Sequence, residues 1–135
     1  MAKILIIEDD APIRMLTREF LKRAGHTTWE ASNGREGLKL AGQETFDLVL
    51  TDIIMPEKEG IEVIMDLRRQ QPSLRIIAMS GGGRISADDC LKLARRLGAR
   101  ATLNKPFGGT ELLATVASVL GVSDSPSPGP SAASP

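Results

Sequence analysis

Polar residues that could do chemistry follow four short apolar runs of the sequence. They are the acidic stretch Glu8-Asp9-Asp10, the carboxylate Asp52, the hydroxyl Ser80 and the amine Lys105. If the four runs are strands of one parallel sheet, their carboxyl ends gather these groups into one crevice. Such a set could bind a divalent cation and accept a phosphoryl group on Asp52.

The acids predict a metal site. Two carboxylates about 5 Å apart repel each other by roughly 3 kcal/mol at an effective dielectric constant of about 20. Burial of Glu8, Asp9 and Asp52 together would therefore protonate one of them unless a cation compensates the charge. Mg²⁺ suits a small open cluster because it keeps water and phosphate oxygens among its ligands. In the alternative interpretation, the acids at 8–10 cap the first helix and interact with its dipole.

Asp52 is the candidate nucleophile, because a carboxylate that attacks phosphorus gives an acyl phosphate. Lys105 could pair with Asp52 and then with the added phosphoryl group, and Ser80 could donate a hydrogen bond to a phosphoryl oxygen. Pro106, which removes a backbone donor, could direct the lysine side chain into the crevice. Simpler interpretations stay open: a turn residue at Asp52, a solvated lysine, and a serine that begins the turn at 81–83.

These residues need a fold that brings the apolar runs together. The runs predict strands over residues 3–7, 27–31, 48–51, 75–79 and 101–103, and segments of helical periodicity predict helices over 12–24, 33–40, 60–70, 86–98 and 109–120. Asp10 is a candidate N-cap, Asn33 and Glu36 form a candidate capping box, and Gly25 is a candidate helix stop. The pattern predicts an α/β, flavodoxin-like fold, in which a doubly wound five-stranded parallel sheet of order 2-1-3-4-5 carries helices on both faces.

Composition narrows the class of protein. The 135 residues fit one domain over 1–121 and a flexible Ser/Pro-rich tail over 122–135, which has too few apolar groups to fold. The 17 basic and 17 acidic residues leave no basic excess, so direct nucleic-acid binding is not expected. The lone Cys90, the lack of a signal peptide and the short apolar stretches favour a cytoplasmic protein without membrane insertion. Arg68 and Arg69 are interpreted as solvated helix-end residues.

Four segments of the chain resemble the receiver domains of two-component response regulators. They are ILIIEDD, DLVLTDIIMPEKEG, IIAMSGG and LNKPF, within a resemblance that runs from residue 3 to about residue 121. The resemblance implies a phosphorylation-controlled switch that takes a phosphoryl group from a sensor histidine kinase or a histidine phosphotransfer protein. Its other partner would be an unknown downstream protein. Such a domain is not an enzyme for a separate substrate, and catalyses only its own phosphorylation and dephosphorylation.

The resemblance also implies a role for each candidate residue. Asp52 is the phosphoacceptor. Asp9, Asp52 and the backbone carbonyl of Ile54 ligate the cofactor Mg²⁺, and Glu8 acts through water. Lys105 pairs with the carboxylate and the phosphoryl group, and the family's switch hydroxyl falls on Ser80.

Two positions depart from the family pattern. The family usually has Tyr or Phe three residues before the lysine, where this chain has Thr102, so an aromatic switch coupled to Ser80 is not expected. The glycines at 81–83 would instead allow the following loop to move. Ile54, two residues after Asp52, has no polar group to orient an attacking water, which predicts a long-lived acyl phosphate.

Other classes of function would need different residues at these positions. The leading interpretation is a stand-alone or phosphorelay receiver without an output domain in this chain, and the alternative is a fragment of a longer regulator or hybrid kinase. An aspartyl-phosphate phosphatase of the haloacid-dehalogenase type would need a second acid where Ile54 stands. A flavodoxin-like mononucleotide binder would need a phosphate-cradling loop after the first strand, where the acids at 8–10 would repel a phosphate.

Overall fold

Parallel strands and covering helices alternate along the chain in a computed structural model, which describes residues 2–52, 59–81, 92, 96–105 and 107–124. The strands are β1 (Lys3–Ile7), β2 (Thr27–Ala31), β3 (Leu48–Asp52), β4 (Arg75–Gly81) and β5 (Ala101–Lys105). The helices with described bounds are α1 (Ala11–Arg23), α2 (Gly34–Gln43), α3 (Glu59–Gln70) and α4 (Gly109–Asp124). The sheet has the order β2-β1-β3-β4-β5, which confirms the predicted fold. The helix predicted over 86–98 lies outside the described residues, apart from 92 and 96–98.

The first two helices begin where their capping residues predict. The side chain of Asp10 accepts a hydrogen bond from the backbone N–H of Ile13, and that of Asn33 accepts one from Glu36. The carboxylate of Glu36 reaches back to the backbone N–H of Ser32, one residue before the cap, at 2.7 Å. The contacts of Asp10 and Asn33 satisfy backbone donors that the first turn of a helix leaves without intrahelical partners, and the contact of Glu36 fastens the residue before the cap.

Gly25 ends the first helix as predicted. Its φ of 94° lies in the left-handed region, which glycine adopts without steric cost. Its N–H donates to the carbonyl of Lys22, and the next N–H, that of His26, donates to Leu21. The chain is thereby turned directly from α1 into β2.

Three strands extend further than predicted. β3 ends at Asp52, β4 at Gly81 and β5 at Lys105, so Asp52, Ser80 and Lys105 lie within the last two positions of their strands. Ser80 pairs with Asn104 and Gly81 with Lys105 across the last two strands. The predicted β4 and β5 end with their apolar side chains. The hydrogen bonds between strands continue further, because they depend on backbone groups that every non-proline residue has.

The last helix also ends later than expected, at Asp124 instead of about residue 120. Glycine in a helix interior costs about 1 kcal/mol relative to alanine and does not by itself end a helix. Gly121 therefore remains inside α4, and the first proline comes only at position 126. The predicted tail lies outside the described residues from position 125 onward.

Alternate residues of each central strand pack on opposite faces of the sheet. Leu5 and Ile7 belong to the core cluster under α2 and α3, and Ile4 and Ile6 belong to the cluster under α1 and α4. Because both faces are covered, the middle parts of these strands are continuously apolar, as is typical of a parallel sheet. Among the described residues, no helix is long and apolar enough to cross a membrane.

The contacts of Arg68 show that the prediction of a solvated helix-end residue at this position is wrong. Its guanidinium donates to the backbone carbonyls of Pro72 at 2.6 Å, Leu74 at 2.8 Å and Gly98 at 2.5 Å. It therefore joins the end of α3 to the segments that enter β4 and β5, instead of being solvated. Its neighbour Arg69 is 74% exposed and pairs with Asp66, as expected for a surface residue.

Candidate functional site

The pairing of β1 with β3 places the predicted acids side by side. The two strands are parallel neighbours with Ile7 opposite Thr51, so Glu8 and Asp52 follow at the same level. Glu8 is 1% exposed and Asp52 is 3% exposed, whereas Asp9 faces solvent. One carboxylate oxygen of each of these three acids lies within 4.8 Å of the other two. The acids therefore form one cluster that is buried on one side and open on the other.

Among the residues that the structure describes, Lys105 at the end of β5 is the cation that contacts this cluster. Its Nζ donates a hydrogen bond to Oδ2 of Asp52 at 2.8 Å and lies 2.5 Å from Oε1 of Glu8. The contact with Glu8 is a close ion pair with a carboxylate that is almost fully buried. Since only 11% of the lysine side chain is exposed, solvent screens these contacts little.

The backbone around Glu8 is tied to neighbouring elements. Its N–H donates to the carbonyl of Ala31 in β2 at 3.1 Å, and its own Oε2 accepts from the N–H of Asp10 at 3.1 Å. Its carbonyl accepts from Nη1 of Arg14 at 2.7 Å, a contact that the sequence analysis missed. The only signal for it was a cation four residues after the N-cap Asp10, one turn of helix from the acidic loop.

Burial governs the protonation of the site. Desolvation raises the pKa of Glu8 to about 7, although Lys105 and the N–H of Asp10 oppose this, and the charge of Asp52 raises it further. Burial alone would lower the pKa of Lys105, but its contacts with Asp52 and Glu8 outweigh that effect and raise it. The crevice therefore holds a charged lysine and more carboxylates than one lysine can neutralise.

The donor set fits a hard divalent cation. Three carboxylates supply oxygen ligands and an excess of negative charge. The exposed position of Asp9 leaves room for water on the open side, which matches the preference of Mg²⁺ for a few carboxylates and several waters. Glu8, Asp9 and Asp52 are the described residues that would hold such an ion.

The other predicted site residues are described in part or not at all. The backbone of Ser80 lies in β4, one position before its end, but its hydroxyl is outside the described residues. Ile54 and Pro106 also lie outside the described residues. Thr102, where the family pattern has an aromatic residue, lies on the edge strand β5 and pairs with Ala78 of β4.

Known proteins of similar sequence share most of this chain. Sporulation initiation phosphotransferase F of Bacillus subtilis is 34% identical over 110 residues, which cover 82% of this chain and 86% of that protein. The alkaline phosphatase synthesis transcriptional regulatory protein PhoP of the same organism is 36% identical over 118 residues, which cover 87% of this chain but 48% of that protein. The chain thus spans nearly all of one relative and about half of the other.

Solved structures and a family model agree with these relatives. A CheY-like receiver domain protein of Methanospirillum hungatei superposes with a TM-score of 0.80 at 29% identity, over 89% of this chain and 94% of that one. The chemotaxis protein CheY4 of Vibrio cholerae does so with a TM-score of 0.80 at 30% identity, over 88% of this chain and 98% of that one. The family model of the response regulator receiver domain matches residues 4–117. On sequence, sheet order and site geometry together, the chain belongs to the response regulator receiver domains of two-component systems.

Proposed function

We propose that this receiver domain accepts a phosphoryl group on Asp52 from a histidine of a sensor kinase or of a histidine phosphotransfer protein. One observation carries the proposal. The carboxylate of Asp52, at the end of a buried strand, lies 2.8 Å from the ammonium of Lys105 and within 4.8 Å of the carboxylates of Glu8 and Asp9. A nucleophile, a fixed cation and a cation-binding acid pair are the groups that phosphoryl transfer to a carboxylate requires.

The side chains would divide the transfer among them. A carboxylate oxygen of Asp52 forms a bond to phosphorus while the bond between phosphorus and the donor imidazole nitrogen breaks, and that nitrogen then takes up a proton. Lys105 neutralises part of the charge on the phosphoryl oxygens. Asp9 and Asp52 would hold Mg²⁺, the ion that receiver domains generally bind at an acidic pocket, with Glu8 acting through water; when bound, the ion would supply further charge neutralisation. We assign the switch hydroxyl to Ser80 and an additional carbonyl ligand to Ile54 on the family resemblance alone.

The signal would arise because phosphorylation changes the partners of Lys105. An acyl phosphate carries about −2 charge and would form on Asp52, whose carboxylate Lys105 contacts in the unphosphorylated protein. We infer that the ammonium moves toward the phosphoryl oxygens and that β5 and the loop after β4 adjust with it. The domain would then bind a downstream protein in one state and not in the other. In this proposal the domain acts in the cytoplasm and has no separate substrate, and direct nucleic-acid binding is not part of its role.

Reaction with a small phosphodonor tests the proposal. The protein is incubated with acetyl phosphate and Mg²⁺, and its intact mass is measured for the wild type, for Asp52→Asn and for the control Asp66→Asn. Asp66 is a carboxylate on α3 that pairs with an exposed arginine, so its variant should react as the wild type does. We expect a labile gain of one phosphoryl group in the wild type and the control only.

Two results would contradict the proposal: no adduct on the wild type, or an equal adduct on Asp52→Asn. The decay of the adduct in the same buffer measures its lifetime. A half-life of seconds would contradict the long-lived acyl phosphate that Ile54 predicts, without affecting the assignment of Asp52.

A further inference from the structure

A side chain outside the acidic cluster holds the backbone that carries the cluster. Arg14, in α1, donates from Nη1 to the carbonyl of Glu8 at 2.7 Å, and its Nε lies 3.3 Å from Oε1 of Glu30 in β2. Only 18% of the arginine side chain is exposed. The guanidinium therefore bridges the loop after β1 and the neighbouring strand β2, and does not extend into solvent.

The carbonyl that Arg14 contacts belongs to the peptide unit between Glu8 and Asp9. The N–H on the other side of Glu8 is held by the carbonyl of Ala31. Because a peptide unit is planar, fixing its carbonyl oxygen also fixes the direction in which the chain leaves toward Asp9. Asp9 is the exposed acid of the cluster, so its carboxylate depends on this backbone for its position.

We propose that Arg14 is a positioning residue, which orients the peptide between Glu8 and Asp9 so that the carboxylate of Asp9 joins those of Glu8 and Asp52 in the cation site. Arginine suits the task, because its planar guanidinium contacts a carbonyl and a carboxylate at once with fixed geometry. The inference rests on the proposed function, since it concerns the same cation site.

Positioning and simple electrostatics give opposite results for loss of Arg14. A positive charge near the cluster repels a divalent cation, so its removal should strengthen cation binding if charge were its only effect. Loss of an orienting contact should weaken binding, because Asp9 would no longer be held in place. The sign of the change therefore separates the two roles.

The test compares Mg²⁺ affinity, measured by titration calorimetry, among the wild type, Arg14→Met, Arg14→Lys and the control Arg18→Met. Arg18 pairs with the same carboxylate, Glu30, at 3.0 Å, and thus controls for loss of a cation from this surface. Outer partners of metal ligands commonly contribute ten- to hundredfold in affinity; because Asp9 is exposed, we expect roughly three- to tenfold weaker binding for both Arg14 variants. The control should remain within about twofold of the wild type. Melting temperatures in EDTA are recorded for each variant.

Several outcomes overturn the inference. Unchanged or tighter Mg²⁺ binding by Arg14→Met does so, and so does a lower melting temperature in EDTA with unchanged affinity, which indicates a structural role only. If Arg14→Met does not fold, Arg14→Lys decides, because it keeps the charge and loses the two-sided contact. A wild type that binds no Mg²⁺ overturns both this inference and the proposed cation site. A wild type that binds Mg²⁺ but forms no adduct at Asp52 contradicts the proposed function alone, and the affinities still decide the role of Arg14.

Discussion

Single residues at the end of the sheet carry an unbalanced charge. Glu8 and Asp52 are buried, Asp9 is close to both, and Lys105 is the cation that contacts the two buried acids. The pKa of Glu8 is raised to about 7, chiefly because burial disfavours the ionised form of this carboxylate. Among the described residues, the two contacts of Lys105 compensate part of the charge of these buried carboxylates.

Replacing Lys105 with Met tests this compensation. The variant keeps a side chain of similar length but leaves two buried carboxylates facing an apolar group. Breaking a buried ion pair by removing one partner commonly costs 3–5 kcal/mol; because the cluster is open at Asp9, we expect a loss of about 2–3 kcal/mol in the free energy of unfolding. Urea denaturation in EDTA measures it.

Mg²⁺ should partly reverse this loss. In the wild type the ammonium competes with a cation for the same carboxylates, so Lys105→Met should gain more melting temperature from added Mg²⁺ than the wild type does. Lys39→Met, at an exposed lysine of α2, removes the same charge and should change neither quantity appreciably. Equal stability of Lys105→Met and the wild type in EDTA would show that the buried carboxylates do not depend on the lysine.

Local signals predicted the helices and strands well and their mutual contacts poorly. The caps at Asp10 and Asn33 and the stop at Gly25 were readable, because each acts on backbone groups within a few residues. The ends of β4 and β5 were not, since they depend on pairing between strands distant in sequence. The contact of Arg14 with a carbonyl was hidden for a similar reason: helical periodicity indicates the apolar face and not which backbone group a guanidinium meets.

Gly37 lies at a contact between α2 and β1 that the sequence pattern also did not predict. A Cβ at this position of α2 would overlap Cδ1 and Cγ1 of Ile7, a buried residue of β1, so the helix packs closely against the sheet at this glycine. Overpacking of a core typically costs 1–3 kcal/mol, and the better helix propensity of alanine returns about 1 kcal/mol. We expect Gly37→Ala to lower the free energy of unfolding by up to about 2 kcal/mol in urea denaturation.

Gly42 supplies a matched control in the same helix. A Cβ there meets no atom within 4 Å, so Gly42→Ala should raise the free energy of unfolding by about 0.5–1 kcal/mol. The two substitutions are chemically identical and should act with opposite sign. Stabilisation by both would mean that Ile7 moves aside easily and that close packing at Gly37 does not constrain the helix.

Across the whole molecule, the two edges of the sheet serve different purposes. All parallel strands end at the same edge, which concentrates the acids and Lys105 there. The opposite edge, where the strands begin, carries contacts that fasten segments together. Arg68 binds three carbonyls there, and Lys3 pairs with Glu44 at 2.6 Å while its Nζ lies 5.0 Å from the centre of the Trp29 ring. The contacts where the strands begin supply stability that can offset the cost of burying carboxylates where the strands end.

Arg68 and Arg69 allow this separation to be tested with neighbouring, chemically identical changes. Arg68→Met removes the donor from three backbone carbonyls, and hydrogen bonds from charged groups contribute about 1.5–3 kcal/mol each; because water can replace some of them, we expect a loss of about 2–4 kcal/mol in the free energy of unfolding. Arg69→Met breaks an exposed pair and should change it by less than about 0.5 kcal/mol.

Distant sites act almost independently, so Arg68→Met should still bind Mg²⁺ and react with acetyl phosphate within about twofold of the wild type, under conditions where it is folded. Urea denaturation, titration calorimetry and intact mass on the same samples give the three quantities. If cation affinity or phosphorylation fell in proportion to stability, the two edges would be energetically coupled. Contacts where the strands begin would then set the geometry of the acidic crevice as well as the stability of the fold. Arg68 fastens β4 and β5 at their beginnings, and the same strands carry Ser80 and Lys105 near their ends.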